Sequence, residues 1–101
     1  MTTYVTKTIT AAGQSSDTVF FDGNFNFSMS GTINSGTTIT VQRSTDGSNF
    51  LDVDTFTSAG EFVGFEPEPA MRYRATCKSG EFGSGSSVVV RFGGVWRSPV
   101  S

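Results

Sequence analysis

An all-β fold, one antiparallel sandwich of seven or eight short strands, is what this chain predicts, and three observations predict it. The first is period-two alternation. In Thr37–Val53 two alternating runs flank Asp46-Gly47: Ile39 and Val41 share one face against Thr38, Thr40 and Gln42, and Leu51 and Val53 share one face against Phe50, Asp52 and Asp54. That period marks half-buried strands, and Asp-Gly accepts the positive backbone angles of a tight hairpin turn. The second is composition. Ten Phe supply apolar bulk, charged residues are only 16%, and Gly, Ser and Thr are abundant, whereas a helical protein would carry more Ala, Leu, Glu and Lys. The third is rhythm, with turn-forming residues recurring about every ten residues.

The elements follow in order. Thr2–Thr10 alternates Tyr4, Thr6 and Thr8 against Val5, Lys7 and Ile9, a weakly amphipathic strand suited to a sheet edge. Ala12–Asp17 reads as a loop, Thr18–Phe21 as a short apolar strand, and Asp22-Gly23-Asn24 as a turn. Phe25–Ser30 is a strand with Phe25, Phe27 and Met29 inward, and Gly31–Gly36 connects it to the hairpin. After a turn at Thr57–Gly60, Glu61–Phe65 is a strand with a bend at Gly64. The prolines of Glu66–Ala70 break pairing, since proline donates nothing to a ladder. Met71–Lys78 places Tyr73, Ala75 and Cys77 on one side and Arg72, Arg74 and Thr76 on the other, and Ser87–Phe92 sets Val88, Val90 and Phe92 in register. Immunoglobulin-like and jelly-roll-like sandwiches both have this spacing. The domain is assigned to residues 1–92. Residues 93–101, opening on Gly93-Gly94, read as a C-terminal arm that docks on its own domain, docks on a neighbouring subunit or is disordered.

Charge and residue usage narrow the function. The net charge is −2 with no basic run, which argues against a phosphate-backbone partner. Histidine is absent, removing the commonest general base and metal ligand. Cys77, the single cysteine, reads as a small core residue, with a reactive thiol or an intersubunit disulfide as the alternative. The N-terminus lacks the apolar core of a secretion signal, and no apolar run is long enough to cross a bilayer, so synthesis in a cytoplasm is expected.

Candidate chemistry is thin. Asp52 and Asp54 alternate on one strand, but a solvated face gives that spacing without catalysis, and no calcium-loop spacing accompanies them. The glycines of Ser79–Gly85 are followed by a strand, not the helix N-terminus a phosphate cradle needs. Arg72 and Arg74 share a strand face and read as cross-strand partners of acidic residues, Asp52 and Asp54 being the candidates, with a grip on carboxylates or phosphates as the alternative. Phe20 or Phe21, Phe50, Phe82 and Trp96 are the aromatics open to a sugar-stacking role, against the simpler reading of core and interface packing. No catalytic residue, metal or cofactor is predicted.

Three elements carry a resemblance: the hairpin with Gln42-Arg43-Ser44 and Asp46-Gly47, the connection into Tyr73-Arg74, and the late glycine turn before the valine strand. Across Phe25–Val53 and Phe65–Phe92 the chain resembles the small β-sandwich virion proteins of tailed bacteriophages. The resemblance implies a virion structural protein, made in the host cytoplasm, that binds the major capsid protein or other virion proteins. A capsid decoration or cement role is favoured over a neck, tail or fibre role, and a carbohydrate- or receptor-binding module is the alternative. It implies a homo-oligomer, with a trimer favoured, and neither nucleic acid nor membrane as partner. Trp is a common interface anchor, so the expected contacts are Tyr4, Val95, Trp96 and Arg97.

Overall fold

Eight predicted strand segments become six strands. The computed structural model describes residues 2–95, as β1 (Thr2–Ile9), β2 (Val19–Thr32), β3 (Ile39–Ser44), β4 (Leu51–Phe56), β5 (Gly60–Thr76) and β6 (Ser87–Val95). All pair antiparallel in one sheet of order β1-β6-β2-β5-β3-β4. The fold is all-β, as the alternation requires.

The two long strands arise because two predicted interruptions are bends within strands. The Asp22-Gly23-Asn24 turn is a bulge where the β2–β5 register shifts between Phe21 and Gly23, and Gly23 supplies the positive φ of +100°. Opposite it, Phe21 pairs with Met71 and Gly23 with Glu66, leaving Pro67–Ala70 facing Asp22 alone. The prolines leave the ladder as expected, but β5 runs on. Its second half pairs with β3, Thr40 opposite Thr76 through Ser44 opposite Arg72.

The sheet is curled. Phe27 of β2 and Phe56 of β4 are separated by β5 and β3, which in a flat sheet would hold their backbones about 14 Å apart. Their ring centroids lie 5.0 Å apart. The core inside this curl gathers Phe21, Phe25 and Phe27 from β2, Ile39 and Val41 from β3, Tyr73 and Ala75 from β5, and Val88, Val90 and Phe92 from β6. Each buried phenylalanine contributes about 2–3 kcal/mol of burial. Cys77 is fully buried with them. The expected loop at Ala12–Asp17 also pairs: Ser16 donates to the Ala75 carbonyl at 2.8 Å and Gly13 to that of Cys77 at 2.7 Å.

Phe25 shows how tightly neighbouring strands pack. It stacks on Phe21 at 4.8 Å and 7°, opposite Gly64 on β5 and Gly94 on β6. A Cβ at Gly64 would stand 2.6 Å from the Phe25 ring, and one at Gly94 would stand 2.8 Å from the Phe21 ring. Gly93 and Gly94, expected to open the C-terminal arm, are instead strand residues paired with both β1 and β2.

The hairpin departs from expectation on one strand. Ile39 and Val41 are buried, but Leu51 and Val53 are 74% and 50% exposed. β4 is a sheet edge, and its register slips so that Val41 faces Asp54 while Gln42 faces Asp52. The bulge at Val53 interrupts the alternation of β4, while Leu51 keeps the face of its partner Arg43, itself opposite the core residue Tyr73, and is exposed because β4 is the edge strand.

Candidate interaction surface

Pairing among β1, β6, β2 and the first half of β5 fixes which side chains share the outer face. Phe25, Phe27 and Met29 turn inward, so Asn24, Asn26 and Ser28 turn outward. Tyr4 lies opposite Gly93, Gly93 opposite Asn26, and Asn26 opposite Val63, forming one row across four strands. The next row carries Thr6, Arg91, Ser28 and Glu61. Phe65 stands two residues from Val63 on the same face of β5, opposite Asn24.

Tyr4, Val63 and Phe65 are 67%, 75% and 64% exposed. Single exposed apolar residues are ordinary, and three on one face make this face the candidate interaction surface. Polar contacts order the ground between them. Ser28 Oγ donates to Glu61 at 2.7 Å, and the Arg91 guanidinium lies 5.3 Å over the Tyr4 ring. Of the four expected contact residues, Tyr4 is on this face. Val95 ends β6 opposite Thr2, beside Tyr4 in the β1–β6 ladder. Trp96 and Arg97 lie outside the described residues. Val63 and Phe65 are new, and their signal was present in sequence: with Phe62 and Gly64 facing inward, alternation alone turns Val63 and Phe65 out.

A second feature lies where β5 leaves its ladder. Glu66 is 1% exposed, a charge in the core that must be paired. Arg43 of β3 donates to it from Nε at 2.5 Å and from Nη2 at 2.8 Å. Tyr73 Oη donates at 2.7 Å and the Glu68 amide at 2.8 Å, while Arg43 also reaches Glu68 at 2.7 Å. Burial works against the Glu66 carboxylate, but the hydrogen bonds from Arg43, the Glu68 amide and Tyr73 outweigh it and hold its pKa below the ordinary glutamate value. Burial and the Glu66 carboxylate push the Tyr73 phenol up.

A groove of about 580 Å³ runs beside the hairpin, lined by Arg43, Ser44, Asp46, Asn49, Leu51 and Val53 among others. The Asp46 carboxylate organises the turn. Asp46 Oδ1 accepts from the amides of Ser48 and Asn49, each at 2.8 Å, and Oδ2 accepts from the Asn49 side chain at 2.9 Å. The Asn49 and Ser48 amides hold this carboxyl well below the usual range. Asp52, expected to pair with Arg72 or Arg74, instead accepts from Gln42 and Lys78. Among the described residues neither Arg72 nor Arg74 pairs with an acidic residue: Arg72 lies over the Phe20 ring and donates to the Thr45 carbonyl, and Arg74 lies over the Phe50 ring and donates to Gln42. Burial, then the charge of Glu81, pushes the Cys77 thiol up, as suits the core reading.

Among the described residues, no group of three or more His, Cys, Asp or Glu is arranged to hold a metal ion, and no helix is long and apolar enough to cross a membrane. No protein family, curated protein or solved structure matches the chain.

Proposed function

We propose that the chain is a non-enzymatic structural protein of a tailed-phage virion, a capsid decoration or cement protein that binds the assembled shell. The observation that carries this reading is the outer face bearing Tyr4, Val63 and Phe65, taken with the resemblance in the hairpin and the Tyr73 strand. An apolar surface set on a hydrogen-bonded sheet loses little side-chain and backbone freedom on docking, which favours a binding role. Aromatic anchors on such a face bury against a partner and exclude water from the polar row beside them. On this reading the partner is the major capsid protein, and copies assemble as a symmetric oligomer, a trimer in the simplest case.

The test is co-sedimentation of the purified protein with capsids that lack it, with its solution mass from light scattering. Saturable binding at many copies per capsid, lost in the Val63→Ser/Phe65→Ser variant, supports the decoration role. A handful of copies moves the protein to the neck or tail. No binding to capsids refutes the proposal.

A further inference from the structure

The opposite end of β5 carries a second surface, built from charge. Arg72 and Arg74 alternate on the outer face of β5, so their Cα atoms lie about 7 Å apart. Both side chains are partly buried and fixed from two sides. Arg74 lies 4.0 Å over the Phe50 ring, and its Nε donates to Gln42 Oε1 at 2.8 Å. Gln42 is itself held by its amide, which donates to Asp52 at 2.9 Å. Arg72 lies 4.9 Å over the Phe20 ring, and its Nη1 donates to the Thr45 carbonyl at 2.8 Å. Its Nε packs so closely on the turn that a Cβ at Gly47 would stand 3.0 Å away.

Neither arginine is in an ion pair within the described residues. Arg43 is taken by Glu66 and Glu68, and Lys78 by Asp52. The terminal nitrogens of Arg74 and Nη2 of Arg72 have no acceptor among those residues. Two stacked, oriented guanidiniums with unfilled donors are a preorganised carboxylate receptor, since the entropy of ordering each long side chain is already lost in the fold. The backbone interval that carries them is matched by an extended ligand. Carboxylates at alternate positions of an extended chain also repeat every 7 Å or so.

We propose that Arg72 and Arg74 form a docking site for an extended acidic segment of another protein, reading two carboxylates two residues apart. The site is on a different part of the sheet from Tyr4, Val63 and Phe65, and it stands whether or not the partner is a capsid.

The test is an NMR titration of the isotope-labelled full chain with the pentapeptide Thr-Glu-Thr-Glu-Thr, capped at both ends, and with its Gln counterpart, at low ionic strength. The expected result is a saturable shift of the Arg72 and Arg74 Nε resonances with the Glu peptide only. Arg72→Gln and Arg74→Gln should each weaken binding about tenfold or more, the loss of one charge-assisted pair. Arg72→Lys/Arg74→Lys should keep the net charge and still bind more weakly, because ammonium groups neither stack nor fork. Unchanged amide resonances in the remote β1–β6 ladder show that each variant is folded. An equal response to the Gln peptide, shifts confined to other faces, or full binding by the Gln variants would overturn the proposal. So would a sulfated oligosaccharide that binds where the peptide does not, or a self-associated mass that Arg74→Gln abolishes.

Discussion

Arg43 grips Glu66 through two parallel hydrogen bonds, Nε to Oε1 at 2.5 Å and Nη2 to Oε2 at 2.8 Å, and so ties β3 to the point where β5 departs from β2. The pair differs from a surface ion pair because its acid is buried while its base is 30% exposed at the side chain. Removing the base strands a charge in the core.

Arg43→Met should therefore destabilise the fold by about 2–3 kcal/mol, toward the low end for a broken buried pair because Arg43 is partly solvated. Arg43→Met/Glu66→Leu should be less destabilised than Arg43→Met alone, since no buried charge remains. Urea denaturation of the two variants and the parent measures both values.

Acid should unfold the protein through the same carboxylate. Glu66 and Asp52 have folded pKa values below their ordinary values of 4.5 and 3.8, so the folded state binds fewer protons than the unfolded one in that range. The stability they contribute is present above those ordinary values and is lost as pH falls through the folded ones. Tyr73 has the opposite sign. Its folded pKa is raised above 10.0, so its contribution is intact below that pH and lost as pH rises further. Thermal melts across pH should show a plateau near neutrality with a fall on each side, and Glu66→Gln should flatten the acid fall.

Gly94→Ala should cost about 1–3 kcal/mol, the range for overpacking a filled core. Its Cβ would meet the Phe21 ring and the Phe25 Cβ, at 2.8 and 2.9 Å, and neither has room to retreat. Chemical denaturation reads the loss, and the Phe21–Phe25 stack should loosen in the aromatic NMR spectrum.

The Cys77 thiol should resist a thiol reagent such as a disulfide dye in the native state. It is fully buried, with Sγ 3.3 Å from the Glu81 carbonyl. Labelling should track global unfolding in denaturant. Rapid native labelling would contradict the core placement.

The faces of the central strands were legible because alternation is local. Phe25, Phe27 and Met29, Tyr73, Ala75 and Cys77, and Val88, Val90 and Phe92 all face the core as their spacing requires. Leu51 and Val53 were misread because alternation shows two faces without showing which strand lies at an edge, where the face that Leu51 shares with Arg43 stays exposed and a bulge interrupts the pattern at Val53. Glu66 was unreadable for a deeper reason. Its burial depends on Arg43, twenty-three positions away, and on Tyr73 from beyond the bend, so no window of sequence around Glu66 contains the cause. Tyr4 could be named as an aromatic on an amphipathic edge strand, but Val63 and Phe65, three strands away, joined it as one face only once β5 was seen in the same sheet.

The pairing of β1 with β6 sets the order of events at birth. Thr2 meets Val95 and Ile9 meets Val88, so β1 has its ladder partner only after β6 has been synthesised. The loop closed by that pairing is nearly as long as the described chain, and such closure is slow compared with the hairpin of β3 and β4. Until then β1 stays unmatched on the ribosome, with Ile9 and Val5 open to other nascent chains. A translation pause late in the message would lengthen that window, and a chaperone that shields extended apolar segments would shorten its consequences.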